Sequence, residues 1–285
     1  MINEIKRKIH QEATVIFSGY FKNKQLEKLK KGLQSPGAAH LLSEKELLVL
    51  NYLIDSNHVV MDIGANNGLY CLFFKEIKKC KQVIAFEPLP TLHRKLEKWF
   101  TDIQLHDIAL SNQTGTTRIN IPYINNKLYE SRSKLDLLKE ENETGHKEIQ
   151  IKTNILDKFF QVHSLPQLDF IKIDVEGHEL KIIEGGKETL KRLHPILLIE
   201  LEGRHHNNNL SPAINMMSQL NYSAYFFNFK LKQLLPFSEF NLETMQDKHK
   251  QNTFDYYNNF LFVPNNKLDI INTLNKKIQE HFKSE

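Results

Sequence analysis

Asp62 stands at the end of a short apolar run, Val59-Val60-Met61-Asp62-Ile63, and the turn Gly64-Ala65-Asn66-Asn67-Gly68 follows at once. A strand ending in such a turn, with a helical pattern from Leu69, is where open α/β sheets bind nucleoside-bearing cofactors. A dinucleotide fingerprint, G-x-G-x-x-G, presses bare backbone against a pyrophosphate. Here the spacing is D-x-G-x-N-x-G, and Asn66 and Asn67 put side chains where a pyrophosphate needs none. An acid at the strand tip suits a positively charged ligand. S-adenosylmethionine (SAM) carries an ammonium and a sulfonium and no phosphate, so the turn reads as a SAM loop. An ordinary strand-to-helix connection would look the same in isolation.

A second acid strengthens the reading. The run Gln82-Val83-Ile84-Ala85-Phe86 ends in Glu87-Pro88, with Glu87 19 residues past Gly68. An acid about 20 residues beyond the loop, at the tip of the next parallel strand, is placed to accept hydrogen bonds from both ribose hydroxyls. Pro88 stops that strand. The alternative for Glu87 is a solvated strand-end acid.

These tips need a sheet to hold them. Strand and helix alternate through Val59–Met61, a helix after Gly68, Val83–Phe86, a helix from about Thr91 to Phe100, and a third strand with its exit over Ile103–Leu110. Such alternation predicts a doubly wound, mostly parallel α/β sheet. Residues 111–155 interrupt the rhythm. Gly115 and the alternating Thr117–Ile121 suggest a β-excursion, and the charged stretch Ser131–Lys147 reads as a mobile loop insertion. Next comes Leu168-Asp169-Phe170-Ile171-Lys172-Ile173-Asp174-Val175-Glu176-Gly177-His178-Glu179. Lys172, Asp174 and Glu176 face opposite to Ile171, Ile173 and Val175, whereas a buried parallel strand should be apolar on both faces. The crevice beyond the strand tips supplies a reason for those charges. A helix interrupted at Gly185-Gly186 leads to Pro195–Glu202, another buried strand with acids at its tip. A helix over Ala213–Leu220 and two aromatic strands, Ser223–Phe229 and Phe260–Val263, supply an antiparallel edge. Upstream, residues 1–57 read as a helical N-terminal cap, broken at Ser35-Pro36-Gly37, with an amphipathic helix starting near Ser43. Residues 58–285 then form the cofactor-binding domain.

With 285 residues, 40% hydrophobic and 25% charged, the chain has the composition of an ordinary globule. The formal charge is +4 and the sequence pI is about 8.8, modestly basic. Lysines gather only at Lys22, Lys24, Lys28, Lys30 and Lys31, which fits a solvated helix face better than a nucleic-acid footprint. An anionic partner or substrate stays open. Cys71 and Cys80 are too few for a disulfide framework and read as reduced and structural. No apolar run approaches the roughly 18 residues of a membrane span. The N-terminus has no signal core, so the expected location is cytoplasmic.

The four blocks Asp62–Gly68, Ala85–Pro88, Ile171–Glu179 and Pro195–Glu200 together resemble the FkbM-type SAM-dependent methyltransferases, with a weaker echo in Asn259–Val263. The likeness runs from about Val59 to Leu201, roughly half the chain. The resemblance implies the class I, Rossmann-like methyltransferase fold with a mostly parallel seven-stranded sheet and helices on both faces. It also implies O-methylation of a sugar, glycan or secondary metabolite. It places Asp62 and Gly64 near the methionine end of SAM, Asn66 and Gly68 among the other cofactor-binding residues, Glu87 on the ribose, and Asp107 and Ala109 beside the adenine.

Methyl transfer is an in-line displacement, and a hydroxyl acceptor is weakly nucleophilic until its proton leaves. The candidate catalytic residues are Asp174 as base, with Glu176 and His178 behind it and Lys172 as ion-pair partner or acceptor polariser. Asp174 could instead cap the following helix, His178 could be a structural histidine, and His205 and His206 read as a surface loop, with a reach into the same crevice as the alternative. No metal ligand is assigned; Mg²⁺ would find oxygens at Asp174, Glu176 and Glu200. Two alternatives stand beside the O-methyltransferase: a nucleic-acid methyltransferase, weakened by the lack of an N/D-P-P-Y/F/W motif, and a non-catalytic SAM-binding scaffold. The expected partner is a small molecule or glycan rather than nucleic acid. A homodimer is compatible with the sequence, which does not fix the oligomeric state.

Overall fold

The computed structural model describes residues 19–125, 127–135, 143–163, 165–251 and 253–283. Five parallel strands form the centre of the sheet: β1 (Val59–Ile63), β2 (Gln82–Phe86), β3 (Gln104–His106), β8 (Phe170–Ile173) and β9 (Ile196–Glu200). They lie in the order β3-β2-β1-β8-β9, a doubly wound arrangement whose direction of winding reverses between β1 and β8. Ligands bind outside the carboxyl ends of the strands at such a reversal. β1 and β8 are buried along their whole length and β2 nearly so, as strands covered on both faces must be.

The sheet has eight strands rather than the expected seven, and it is mixed. β12 (Asn259–Pro264) joins β9 antiparallel, β10 (Tyr222–Asn228) joins β12, and β11 (Gln233–Pro236) closes the edge as a hairpin on β10. The expected third strand is also divided. After β3 the chain leaves this sheet at Asp107, and β4 (Ile108–Ser111) pairs in parallel with β7 (Glu143–Ile155) in a second, four-stranded sheet. That sheet is the β-excursion: β5 (Gly115–Ile124) runs antiparallel to β7 and carries the two-residue β6 (Lys127–Leu128). Glu143–Lys147, expected in a mobile loop, are the first turns of β7's ladder; residues 136–142 of that loop lie outside the described residues. Ile119, Ile121 and Ile151 of the second sheet pack on Leu89 and Leu92, just beyond the tip of β2.

Of the N-terminal cap, residues 1–18 lie outside the described residues, and 19–34 are helical. The predicted helix near Ser43 starts later, as α1 (Glu46–Leu53), and is nearly all buried rather than amphipathic. The apolar stripe of α9, the C-terminal helix Asp269–Lys283, joins α1 in the same core through Ile271, Leu274 and Ile278. Two lysines fasten this region. Lys45 donates to the carbonyls of Phe254 (2.9 Å) and Tyr256 (2.6 Å). Lys22 reaches the Trp99 carbonyl at 2.6 Å and Glu76 at 2.7 Å. The Trp99 carbonyl ends the helix Pro90–Trp99 (α3), where last-turn acceptors lack intrahelical partners. Among the described residues, no helix is long and apolar enough to cross a membrane.

Candidate functional site

The carboxyl ends of β1, β2 and β8 meet through backbone contacts. Gly64 N and Ala65 N donate to the Phe86 carbonyl at 3.0 Å each, and Asp174 N donates to the Ile63 carbonyl at 3.0 Å. This approach requires the glycine. Gly64 has φ +84°, and a Cβ there would lie 1.9 Å from the Asp174 carbonyl oxygen. Gly68, φ +82°, plays a packing part: its missing Cβ makes room for Leu96 of α3.

A cleft opens at this junction. Gly64, Asn66, Glu87, Ala109, Asp174, Glu176 and His178 all line it, with Ile63, Phe86, Leu89 and Ile108 supplying apolar wall. Seven residues singled out from the sequence therefore share one cleft. Four carboxylates face it, those of Glu87, Glu130, Asp174 and Glu176, and no Lys or Arg is among its described lining residues. The second sheet and the segment after it narrow one side through Ile119, Glu130, Ser133 and Leu135. The remaining space is about 70 Å³, well below the roughly 300–1,000 Å³ of an occupied ligand pocket.

Glu87 is buried at the tip of β2, where one oxygen accepts from Asn66 N (2.7 Å) and the other from Leu89 N (2.9 Å). Each oxygen keeps acceptor capacity for a hydroxyl. Burial pushes its pKa up to about 7, against the pull of those two N–H groups.

Four predicted residues lie outside the cleft wall. Asp62 points to the opposite face and accepts from the Cys71 thiol at 3.2 Å. Burial raises Asp62 to about 6 and holds the Cys71 thiol well above its ordinary value. Gly68 sits behind the turn. Asp107 is exposed where β3 hands over to β4. Lys172, opposite Asp62 in the β1–β8 register, is 1% exposed and beneath the cleft floor.

Lys172 is the centre of a polar cluster. Its Nζ donates to Asn259 Oδ1 at 2.7 Å, lies 3.5 Å from Asp174 Oδ2, and stands 5.1 Å from the centre of the Tyr70 ring. Burial opposes its charge, but Asp174, Glu200, Glu44 and Asp62 more than offset this and raise its pKa. Asp174, one-third exposed toward the cleft, is likewise held below the carboxylate range despite burial, by Lys172 and by a hydrogen bond with Glu200. Glu200 moves the other way, well upward, through burial and the Asp174 charge. The two carboxyls are thus pushed apart, Asp174 toward the ionised form and Glu200 toward the neutral one. Glu44 joins through Asn259 Nδ2 at 3.1 Å, and burial raises it to about 8. Glu44 carries no local sequence signal, and Asn259 only opens the weakly matching Asn259–Val263 segment.

Glu176 is re-aimed by a left-handed backbone, φ +55°, a strain worth roughly 1–3 kcal/mol for a non-glycine residue. Its Oε2 lies 3.5 Å from His205 Nε2 and 3.6 Å from an Arg204 nitrogen. Burial first, then Asp174, raises it to about 8. His205 and His206 are thus buried partners of Glu176 and Glu179 rather than a free surface loop. His178 sits in the N-cap position of the helix Glu179–Gly185, with Nε2 2.9 Å from Ser111 Oγ. Asp174, Glu176 and Glu200 do not converge as ligands: their oxygens are engaged as described, and the described residues hold no group of three His, Cys, Asp or Glu side chains suited to a metal ion.

A doubly wound sheet with an acid-lined cleft at its switch point, and an acid at the second strand tip, defines the class I, Rossmann-like methyltransferase fold. The model of the methyltransferase FkbM domain matches residues 62–224. The chain belongs to the FkbM methyltransferase family. It is 25% identical over 162 residues to methyltransferase sdnD of Sordaria araneosa, covering 47% of this chain and 62% of sdnD, so it spans less than two thirds of that relative's length. It is 22% identical over 178 residues to 2-O-methyltransferase NoeI of Sinorhizobium fredii, covering 59% and 72%. A solved FkbM methyltransferase from Methylobacillus flagellatus superimposes with a TM-score of 0.46 at 15% identity, over 74% of this chain and 44% of that one. Family and fold imply SAM as the cofactor.

Proposed function

We propose that the protein is a SAM-dependent O-methyltransferase. One observation carries this reading: the switch-point cleft presents four carboxylates and, among its described lining residues, no Lys or Arg. Such a lining favours a cationic ligand and disfavours phosphates. SAM supplies the activated methyl group when bound. Glu87 receives the ribose hydroxyls, Ala109 and Ile108 border the adenine, and the sulfonium side faces Asp174. The likeness to a protein named as a 2-O-methyltransferase supports a hydroxyl acceptor.

Asp174 and Glu176 divide the work. Lys172 keeps Asp174 ionised, a poor proton acceptor but a fixed negative charge beside the positive centre. Glu176, at about 8, is poised near neutral pH, where a general base is most effective. At about 70 Å³ the cleft must widen to seat the cofactor, and the wall that yields is Glu130–Leu135, joined to α3 by the Thr91–Glu130 hydrogen bond and Leu135 packing.

Calorimetry with S-adenosylhomocysteine tests the cofactor half. Glu87→Gln should weaken binding by roughly 10- to 100-fold, the value of a charged hydrogen bond of about 1.5–3 kcal/mol. Undiminished affinity would remove Glu87 from the ribose. Tritiated-methyl transfer from SAM into a source-cell extract tests the acceptor half; no incorporation into any alkali-stable ether product would sink the O-methyl reading.

A further inference from the structure

A second cavity, far larger than the cofactor cleft at about 1230 Å³, lies between the helix over residues 19–34 and α3. Its charge is opposite. Lys24, Lys28, Arg94, Lys95 and Lys98 line it, and no Asp or Glu is among its described lining residues. Five cations in one groove exceed the formal net charge of the whole chain, +4.

Folding alone gives no reason for this arrangement. Lys24 and Lys28 are spaced i,i+4 on one helix, as are Arg94 and Lys98 on the other, and like charges at that spacing destabilise a helix. No carboxylate among the described residues pairs with any of the four. The one acid of α3 offers no relief: Glu97 faces His93 at 3.7 Å. Lys95 is drawn further in. It stands 4.3 Å from the centre of the Trp99 ring and donates to Asn67 Oδ1 at 2.8 Å, and its desolvation lowers its pKa.

The groove is also one residue from the cofactor cleft on one element and one residue from the polar cluster beneath that cleft on another. Asn67 lines the groove while Asn66 lines the cofactor cleft. Ser43 lines the groove while Glu44, the next residue, is hydrogen-bonded to Asn259 in the Lys172 cluster. We propose that this groove binds the methyl acceptor, and that the acceptor is a small hydroxyl-bearing molecule with at least two negative charges on phosphate, sulfate or carboxylate groups. The acceptor role rests on the methyltransferase reading; the anion site does not. Single-stranded nucleic acid fits less well, because it needs successive exposed rings on which bases stack. Here Trp99 is 6% exposed beneath Lys95, and Phe21 is the exposed aromatic of the described lining.

Trp99 is the sole tryptophan of the chain, so intrinsic fluorescence reports on the groove directly. Titrations would use fructose 1,6-bisphosphate, pyrophosphate and citrate, with fructose as the neutral control and a ten-residue uridine oligonucleotide as the rival. The bisphosphate should change Trp99 emission, less so as salt rises, and fructose should not. Preference between the phosphates and citrate names the charged group. Arg94→Gln/Lys98→Gln, and separately Lys24→Gln/Lys28→Gln, should each weaken the anion by about 10-fold, the scale of one charge-assisted contact. S-adenosylhomocysteine affinity, measured by calorimetry on the same samples, should stay within about twofold and also show that the variants are folded. No anion response by 10 mM, wild-type affinity in both double variants, or tighter binding of the oligonucleotide than of the bisphosphate would overturn the site. Anion binding without any S-adenosylhomocysteine binding would overturn the acceptor role and the methyltransferase reading while leaving the anion site.

Discussion

Replacing Lys172 by Met keeps the volume at the centre of the polar cluster and removes the ammonium beside Asp174. The wild-type ammonium is 1% exposed, donates to Asn259 Oδ1 and lies 3.5 Å from Asp174 Oδ2. Breaking a buried pair by deleting one partner costs about 3–5 kcal/mol, because the other charge stays behind. Asp174 is one-third exposed, so the lower end, about 3 kcal/mol, is the fair expectation. That is a large share of the 5–15 kcal/mol typical of a domain.

The loss should depend on pH, and its sign follows from linkage. In the wild type the folded pKa of Asp174 lies below its unfolded value. Its stabilisation is therefore present throughout pH 5–8 and lost only as pH falls through that depressed value. In Lys172→Met the Asp174 pKa should rise above its unfolded value. The folded state then holds a proton that the unfolded state does not, and stability falls as pH climbs toward the raised value. Urea unfolding at pH 5.5 and pH 8 measures both quantities. With a slope of roughly 3 kcal/mol per molar urea, the midpoint should drop by about 1 M at pH 8. At pH 5.5 the drop should be visibly smaller. A loss under about 0.3 M at pH 8, or equal losses at the two pH values, would refute the cluster's electrostatics.

Gly64→Ala should destabilise by roughly 3–5 kcal/mol, combining the left-handed backbone with overpacking, because its Cβ would meet the Asp174 carbonyl at 1.9 Å; a thermal midpoint within a degree or two of wild type would contradict the close approach of β1 to β8. Glu176→Gln should abolish the rise of turnover with pH centred near 8, the value to which burial moves this carboxyl, while leaving S-adenosylhomocysteine affinity intact; an unchanged pH–rate profile would transfer the base to another group. Lys22→Met should loosen the helix over residues 19–34, since it removes contacts to Trp99 O and Glu76. Hydrogen exchange over those residues should accelerate about fivefold for each kcal/mol lost, and unchanged protection would show that apolar packing alone holds the helix.

The sequence by itself determined the strand-tip geometry of this protein. Apolar runs of four or five residues, a turn with glycines at φ +84° and +82°, and a proline after Glu87 are local signals, because backbone conformation is decided within a few residues. They placed Gly64, Asn66, Glu87, Ala109, Asp174, Glu176 and His178 around one cleft. What local pattern could not give was which face a strand-tip acid turns to, so Asp62 went to Cys71 and Asp107 to solvent. Nor could it show that a single turn sends β4 into a second sheet, or that α9 would pack into the same core as α1.

Beyond the Lys172–Asp174 pair, the electrostatics belonged to the tertiary structure. Glu44 and Asn259 are hydrogen-bonded across 215 residues of chain, and Lys24 and Arg94 line one groove from 70 residues apart. Coulomb interaction and desolvation depend on distance and burial in space, neither of which is encoded by spacing along the chain. A helix face of lysines therefore read as solvated until a second cationic helix appeared opposite it. The sequence marked out the acid-lined cleft at the strand tips; only the fold brought the two cationic helices to face each other.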